Sequence, residues 1–365
     1  MSVVSGVSGY RRKKGAKLLT NKLREYFPMI RSREELRDII AKDPLLEENF
    51  TSWSKEEQKL FLDMCTGVRG LKMLYDGFFK ELFDPEYHKE RLEQFLSLIL
   101  GSKVMIRQIL TNDSVRLADE NTLLITDIIV ELADGSLANL EIQKMGYAFP
   151  GQRIACYGAD MLLRQYKRVK NRLKKKFTYR KIKNVYVIVL FEKSPKEFRG
   201  QQGKYMHHSR QKFDTGLNLN LLQEYILISL DIFKENFQNR IIETELEAWL
   251  AFLTFEEPDQ ILELLRTHPE FEEMYREIYE LCRNVEGVMD MFFSEELREL
   301  DRNTVQYMME EQEKELEANK RKLKKMREKI RKREQQLQES EKQLREKEQQ
   351  LAEKDAVIRE LMGRK

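Results

Sequence analysis

Cysteine is scarce in this chain, and the devices built from it are correspondingly excluded. Cys65, Cys156 and Cys282 stand far apart, with no CxxC pair. That sparse, odd count fits a reducing compartment and argues against a disulfide framework or a zinc site. Only four histidines occur, and His207 and His208 are adjacent, so on a regular element they point apart and no shared metal is expected. Asp214-Thr215-Gly216 spells an aspartic-protease word, but no second copy supplies the paired carboxylate. A glycine-rich phosphate loop is absent, which excludes an ATP-driven machine. No run approaches the ~18 apolar residues of a membrane span, and Val3 to Gly9 is too short for a signal core. A soluble, cytoplasmic protein with no membrane partner is the expectation.

Charge is what the chain has in excess. Of its 365 residues 35% are charged against 41% hydrophobic, so a normal core coexists with a highly charged remainder. The net charge of +3 conceals a polarity. Between Gln143 and Phe213 nineteen Lys/Arg face three Asp/Glu, whereas Glu243 to Asp301 holds eighteen acids against four arginines. A basic module followed by an acidic one points to a polyanionic partner for the first. The acidic module serves solubility or shields the basic surface.

The pattern divides the chain into a basic N-terminus (1–20, expected disordered), N-terminal helices (21–70), a mixed module (71–240), an acidic helical segment (241–308) and a charged helix (309–362). Capping boxes Ser32…Glu35 and Ser54…Glu57 open two short helices. Asp84-Pro85 reads as the start of a longer helix to about Leu100. A strand is expected around 104–110, a helix over about 151–173, a buried strand at Asn184–Phe191 and another at Glu224–Ile232. These alternations describe an α/β layer fold. The Met/Phe-rich stretch 288–293 reads as core. Leu316, Leu323, Ile330, Leu337, Leu344, Leu351 and Ile358 occupy one heptad position in seven successive repeats, but the companion position is mostly polar. A marginal coiled coil, joining a homodimer, and a single solvated helix held by Glu–Lys pairs are both compatible with that pattern.

The densest signal lies at 125–144, which reads as a β-hairpin around Ala133-Asp134-Gly135. With a three-residue loop and Gly135 left-handed, Leu132 pairs with Ser136 and Asp127 lands opposite Glu141. One face then carries Leu124, Ile128, Val130, Leu132, Leu140 and Ile142; the other carries Asp127, Glu131, Asn139, Glu141 and Gln143. A two-residue turn would instead throw Asp127 among the aliphatic residues, where a charge is costly. Two carboxylates facing each other across a strand pair repel unless a proton or a cation lies between them. Oxygen donors of this kind suit Mg²⁺.

An aspartate, a hairpin and Glu-x-Gln on its second strand resemble the PD-(D/E)XK nuclease superfamily. Leu140-Glu-Ile-Gln-Lys144, Ala148-Phe-Pro-Gly-Gln-Arg153 and Tyr157…Asp160-Met-Leu-Leu-Arg-Gln-Tyr166 are similar, more narrowly, to the PD-(D/E)XK nuclease family transposases, or recombination-promoting nucleases. Thr66-Gly-Val-Arg-Gly70, Leu92 to Gly101, Asp214-Thr-Gly-Leu217 and Leu300-Asp-Arg-Asn-Thr304 fit too, so the likeness runs from about 55 to 310. It implies a restriction-endonuclease-like mixed sheet flanked by helices and Mg²⁺-dependent hydrolysis of DNA. Asp127 and Glu141 would hold the metal, and a glutamate of the preceding helix would complete the site. Glu90 is the candidate, with Glu93 second. Gln143 stands where a catalytic lysine is usual in the superfamily, although glutamine is usual in this branch. Its neutral amide can only position water or phosphate. Arg153 and Tyr157, one helical turn apart, are candidates for a phosphate. Eleven basic residues between Arg164 and Lys183, among them Lys167, Arg168, Lys174, Lys175 and Lys176, are interleaved with Tyr166, Phe177 and Tyr179. Such a stripe predicts salt-sensitive, sequence-independent DNA affinity.

Overall fold

Val185–Phe191 contains no charged side chain, and it lies at the centre of the sheet. The structure, a computed structural model, describes residues 21–110, 128–143, 150–201, 203–237, 240–293 and 295–362. Helices come first: α1 (Lys22–Tyr26), α2 (Arg33–Lys42), α3 (Pro44–Ser52), α4 (Lys55–Cys65), α5 (Asp76–Leu82) and α6 (Lys89–Leu100). Strands β1 (Ile106–Leu110), β2 (Ile128–Leu132) and β3 (Leu137–Gln143) lead into the long α7 (Pro150–Leu173). β4 (Val185–Phe191), α8 (Lys196–Arg199), β5 (Met206–Arg210), β6 (Gln223–Ser229) and α9 (Leu230–Asn236) follow. Then come α10 (Glu245–Thr254), α11 (Pro258–Thr267), α12 (Glu272–Leu281), α13 (Val285–Phe293) and α14 (Glu295–Met362).

Among the described residues the strands form one mixed sheet in the order β1-β2-β3-β4-β6-β5. β1, β2 and β3 are antiparallel neighbours; β3, β4 and β6 run parallel; β5 is an antiparallel edge. Parallel neighbours need a crossover, and α7 supplies it between β3 and β4. Because α7 covers one face and other helices the opposite one, β4 is apolar at nearly every position. Ile188, Leu190, Ile128, Val130 and Leu140 join the larger core, which also holds Phe95 of α6 and Trp249 of α10. Val185, Val187, Val189 and Phe191 face Ile154, Tyr157 and Met161 of α7 in a smaller one.

Both capping boxes form, with Ser32 and Ser54 accepting from the N3 amides and Glu35 and Glu57 reaching back to the cap amides. The start of α6 differs from expectation. The Asp84 carboxylate accepts from the Glu86 amide at 2.7 Å, and its carbonyl accepts from His88, which closes a turn. The helix therefore begins after Pro85, at Lys89, and Gly101 ends it at φ +66°. β6 likewise stops at Ser229, and Leu230 to Ile232 belong to α9 rather than to a strand. β5 was not expected, because Met206-His-His-Ser-Arg210 is polar. As an edge strand it is largely exposed, and a polar edge resists pairing with other chains.

The acidic segment is helical and contributes to the same core as the N-terminal helices. Trp249 stacks within 5.5 Å of both Phe83 and Phe95 and meets Phe271 edge-on at 5.1 Å. Val288 and Met289 are buried, as core residues should be. Carboxylates of this segment pair with N-terminal cations, Lys22 with Asp259 at 2.5 Å, Arg91 with Glu277 at 2.6 Å and Arg69 with Glu256. The chain divides at Arg298 into two units. The second is the greater part of α14, a single helix on which Leu316, Leu323, Ile330, Leu337, Leu344 and Leu351 are each more than half exposed. No helix among the described residues is long and apolar enough to cross a membrane.

Tyr275 and Tyr279 are completely buried, and burial pushes both phenols up; Tyr275, Cys282 and Cys65 add to the effect on Tyr279. The folded chain keeps these protons where the unfolded chain releases them near pH ~10. Their contribution is therefore intact below about pH 10 and is lost as the pH climbs further. Unfolding in urea should show a midpoint that falls steeply between roughly pH 9 and 11, and the double variant Tyr275→Phe/Tyr279→Phe should flatten that fall.

Candidate active site

The hairpin adopts the three-residue loop. Gly135 has φ +90°, its amide donates to the Leu132 carbonyl at 2.9 Å, and Leu132 donates to Ser136 at 2.8 Å. The Asp134 carboxylate closes the turn by accepting from the Ser136 amide and hydroxyl. Ile128 pairs with Leu140, Ile129 with Asn139 and Glu131 with Leu137, the register that this loop demands. Asp127 and Leu124 lie outside the described residues.

The polar face of the hairpin is not open to solvent. Glu131, Asn139, Glu141 and Gln143 are each at most 2% exposed, because α7 lies across them. Sequence reasoning overlooked Ile129 and Leu137, which share this face and bury themselves in the smaller core. Their presence among the polar residues was the available signal that the face is covered. Three features hold α7 down. Gln165 donates to the Gly135 carbonyl at 2.6 Å. Gly158 leaves room for the Tyr225 ring, whose hydroxyl would lie only 2.3 Å from a Cβ at that position. Glu131 accepts from Arg168 (2.5 Å), Arg172 (3.1 Å) and Arg107 (3.2 Å), so its buried charge is matched by three cations.

At the other end of the covered face, Glu141 is the centre of a smaller network. Gln143 Nε2 donates to Glu141 Oε1 at 3.3 Å. Tyr157 lies close enough to Glu141 to feel its charge, and its hydroxyl accepts from Arg153 Nε at 2.8 Å, with the guanidinium 5.5 Å from the ring centroid. Burial, and then the Glu141 charge, push the Tyr157 phenol well above its ordinary value, against the opposing pull of Arg153. The phenol therefore stays protonated beside the carboxylate. Gln143 Oε1 and both polar atoms of the fully buried Asn139 amide have no hydrogen-bond partner among the described residues. Leaving such groups unsatisfied costs about 1–3 kcal/mol each, so their placement beside a carboxylate calls for water or a ligand.

The remaining sequence candidates fall in different places. Glu90 is exposed in the first turn of α6. Glu93 is engaged at the turn end of the hairpin, where its carboxylate accepts from the Ile106 amide at 2.6 Å and Ile106 pairs with Leu132. That position is roughly 13 Å along the strand from Ile128. Arg164 is bonded to Asp160 at 2.7 Å, and Arg168 and Arg172 to Glu131, so three of the basic stripe's arginines have structural partners. Lys167, Lys174, Lys175 and Lys176 are exposed. Among the described residues no group of three or more His, Cys, Asp or Glu side chains converges as a metal site. Glu141 and the unpartnered Gln143 Oε1 nevertheless offer two hard oxygen donors side by side, the donor chemistry that a divalent cation takes.

A six-stranded mixed sheet with a hairpin, a buried Glu-x-Gln strand and a covering helix is consistent with the PD-(D/E)XK fold. The family model of the PD-(D/E)XK nuclease family transposases matches residues 73–307, and the chain belongs to that family. No curated protein and no solved structure matches it.

Removal of the anion at the other end of the face should show that it is structural. Glu131→Gln is expected to lower stability by about 2–3 kcal/mol, the worth of the charge-assisted bonds it loses. A chemical-denaturation curve with unchanged slope and a lower midpoint would establish this.

Proposed function

We propose that this chain is a divalent-metal-dependent endonuclease that hydrolyses DNA phosphodiesters in transposition or recombination. The observation that carries the reading is the covered Glu141–Gln143 pair on β3, braced by Tyr157 and Arg153, in a chain of the PD-(D/E)XK nuclease family. Asp127, Glu141 and the Gln143 amide oxygen would hold the cation, Mg²⁺ by preference, with Glu90 the candidate for a further oxygen. Bound there, it would polarise the scissile phosphate and lower the pKa of a water. Tyr157 keeps its proton and presents the O–H beside Glu141, so the carboxylate has a neutral donor next to it rather than a second anion. Arg153 brings a positive charge beside the pair, suited to a phosphate oxygen. Gln143 takes up no proton, so it positions rather than acts as a base. α7 excludes bulk water from the pair, and the lysine-rich stripe at its far end supplies affinity for the backbone. The leucine seam of α14 fits a coiled-coil homodimer, and the protein acts in the cytoplasm.

Supercoiled plasmid with Mg²⁺ is the direct test. Nicking or linearisation is expected, and EDTA, Asp127→Ala or Glu141→Ala should abolish it. Tyr157→Phe should slow cleavage by about tenfold or more, the value of a bond to a charged partner, while DNA affinity stays unchanged. Gln143 in place of a lysine favours a second reading, a DNA-binding protein on an inactive nuclease fold. Salt-sensitive DNA binding with no cleavage under any divalent metal would establish that alternative, and cleavage insensitive to both carboxylate variants would overturn the site.

A further inference from the structure

Where α7 ends, three aromatic rings gather on the surface. Tyr166 and Tyr179 lie nearly parallel, 16° apart with centroids 6.2 Å apart, and Phe177 stands edge-on to both, at 5.6 and 5.4 Å. Tyr179 is 74% exposed. An exposed aromatic cluster of this kind is not explained by core packing, because its outermost ring buries little of itself. Lys170 lies 5.3 Å from the Tyr166 centroid and donates to its hydroxyl at 3.0 Å. The chain is held in this shape by a left-handed residue, Lys174 at φ +45°, and by two short 3₁₀ turns, 174–176 and 179–181.

The charge around the rings is of one sign. Arg164, Arg168 and Arg172 have carboxylate partners. Lys167, Lys170, Lys174, Lys175, Lys176, Arg180, Lys181 and Lys183 have none among the described residues. Positive charge alone would suit any polyanion, and duplex DNA in particular hides its bases inside the stack. Aromatic faces among the cations add something a duplex cannot use along its length: a surface on which unpaired bases stack.

We propose that Tyr166, Phe177 and Tyr179 form a stacking platform for unpaired nucleotides of a DNA strand, with the surrounding lysines bound to its phosphates. The proposal rests on the nuclease reading for the identity of the polyanion and deepens it by naming the form of the substrate. Tyr166 is nine residues along α7 from Tyr157, an axial rise of roughly 14 Å that also turns it to the opposite, outward face of the helix. The substrate so described is DNA with a single-stranded segment, such as a hairpin end or an overhang, whose unpaired part the platform selects.

Full-length protein in EDTA, so that cleavage plays no part, would be titrated against a labelled 20-nucleotide oligo-dT strand and a 20-base-pair duplex by fluorescence anisotropy, at about physiological salt. Wild-type protein is expected to prefer the single strand. Tyr179→Ala should weaken single-strand binding about tenfold and duplex binding less than twofold, whereas Tyr179→Trp should retain single-strand affinity and show indole quenching on binding. Lys175→Gln/Lys176→Gln should weaken both forms alike. Equal effects of Tyr179→Ala on the two forms, or no effect, would overturn the platform while leaving the nuclease reading intact if plasmid cleavage persists. Failure of the wild-type protein to bind either form would overturn both.

Discussion

A buried carboxylate matched by three arginines sets the position of everything else around the candidate site. Glu131 sits on β2, Arg107 on β1, and Arg168 and Arg172 on α7. A single anion thus ties two strands to the helix that covers them. Unmatched, it would be too costly to bury. Matched, it fixes the azimuth of α7, since arginines four residues apart can share an acceptor only on one helical face. With that face turned down at the C-terminal half of α7, Tyr157 and Arg153 are directed at Glu141 in the N-terminal half. The Glu141 network and the clamp that aligns it are thus opposite ends of one polar strip.

The strip also explains which parts of the molecule were legible in its sequence. The hairpin register was, because Ala133-Asp134-Gly135 allows few loop geometries and a one-residue slip would exchange core for charge. β4 was legible because an unbroken apolar run has one stable place in such a sheet. The capping boxes of α2 and α4 were legible because their chemistry is local. What could not be seen depended on distant partners. Glu131 looked like a companion of Glu141 on a shared face, and nothing nearby in the chain shows that Arg168 and Arg172 come back to meet it. The basic stripe looked uniform for the same reason, although its structural arginines and its outward lysines have different roles. The bond between Glu93 and the Ile106 amide, thirteen residues on, could not be seen either. The turn at Asp84 was missed because Asp-Pro serves equally well to open a helix or to close a loop.

Gln143 bears on chemistry rather than fold. A lysine there would have to be held deprotonated or matched in a strip that already contains Glu141, a protonated phenol and Arg153. An amide brings an oxygen and a donor to the same place without adding charge, and its Nε2 does bond to Glu141. On the proposed nuclease reading, the proton-transfer work that a lysine could share would fall on water alone, and the electrostatic demand on Arg153 would rise.

The interleaving of the two ends of the first unit has a further consequence, for the order in which the protein can be made. Phe27 packs against Tyr275 and Tyr279, and the Gly70 amide donates to the Glu256 carbonyl at 2.7 Å. The helices α1 to α4 therefore emerge during synthesis some two hundred residues before the surfaces that bury them. At about 5–20 residues per second, that is a wait of roughly 10–40 s. Through that interval Leu23, Phe27, Phe61 and Leu62, all buried in the finished protein, lack their final cover. The nascent chain must keep them from aggregating, and the many charges on those short helices are well suited to the task.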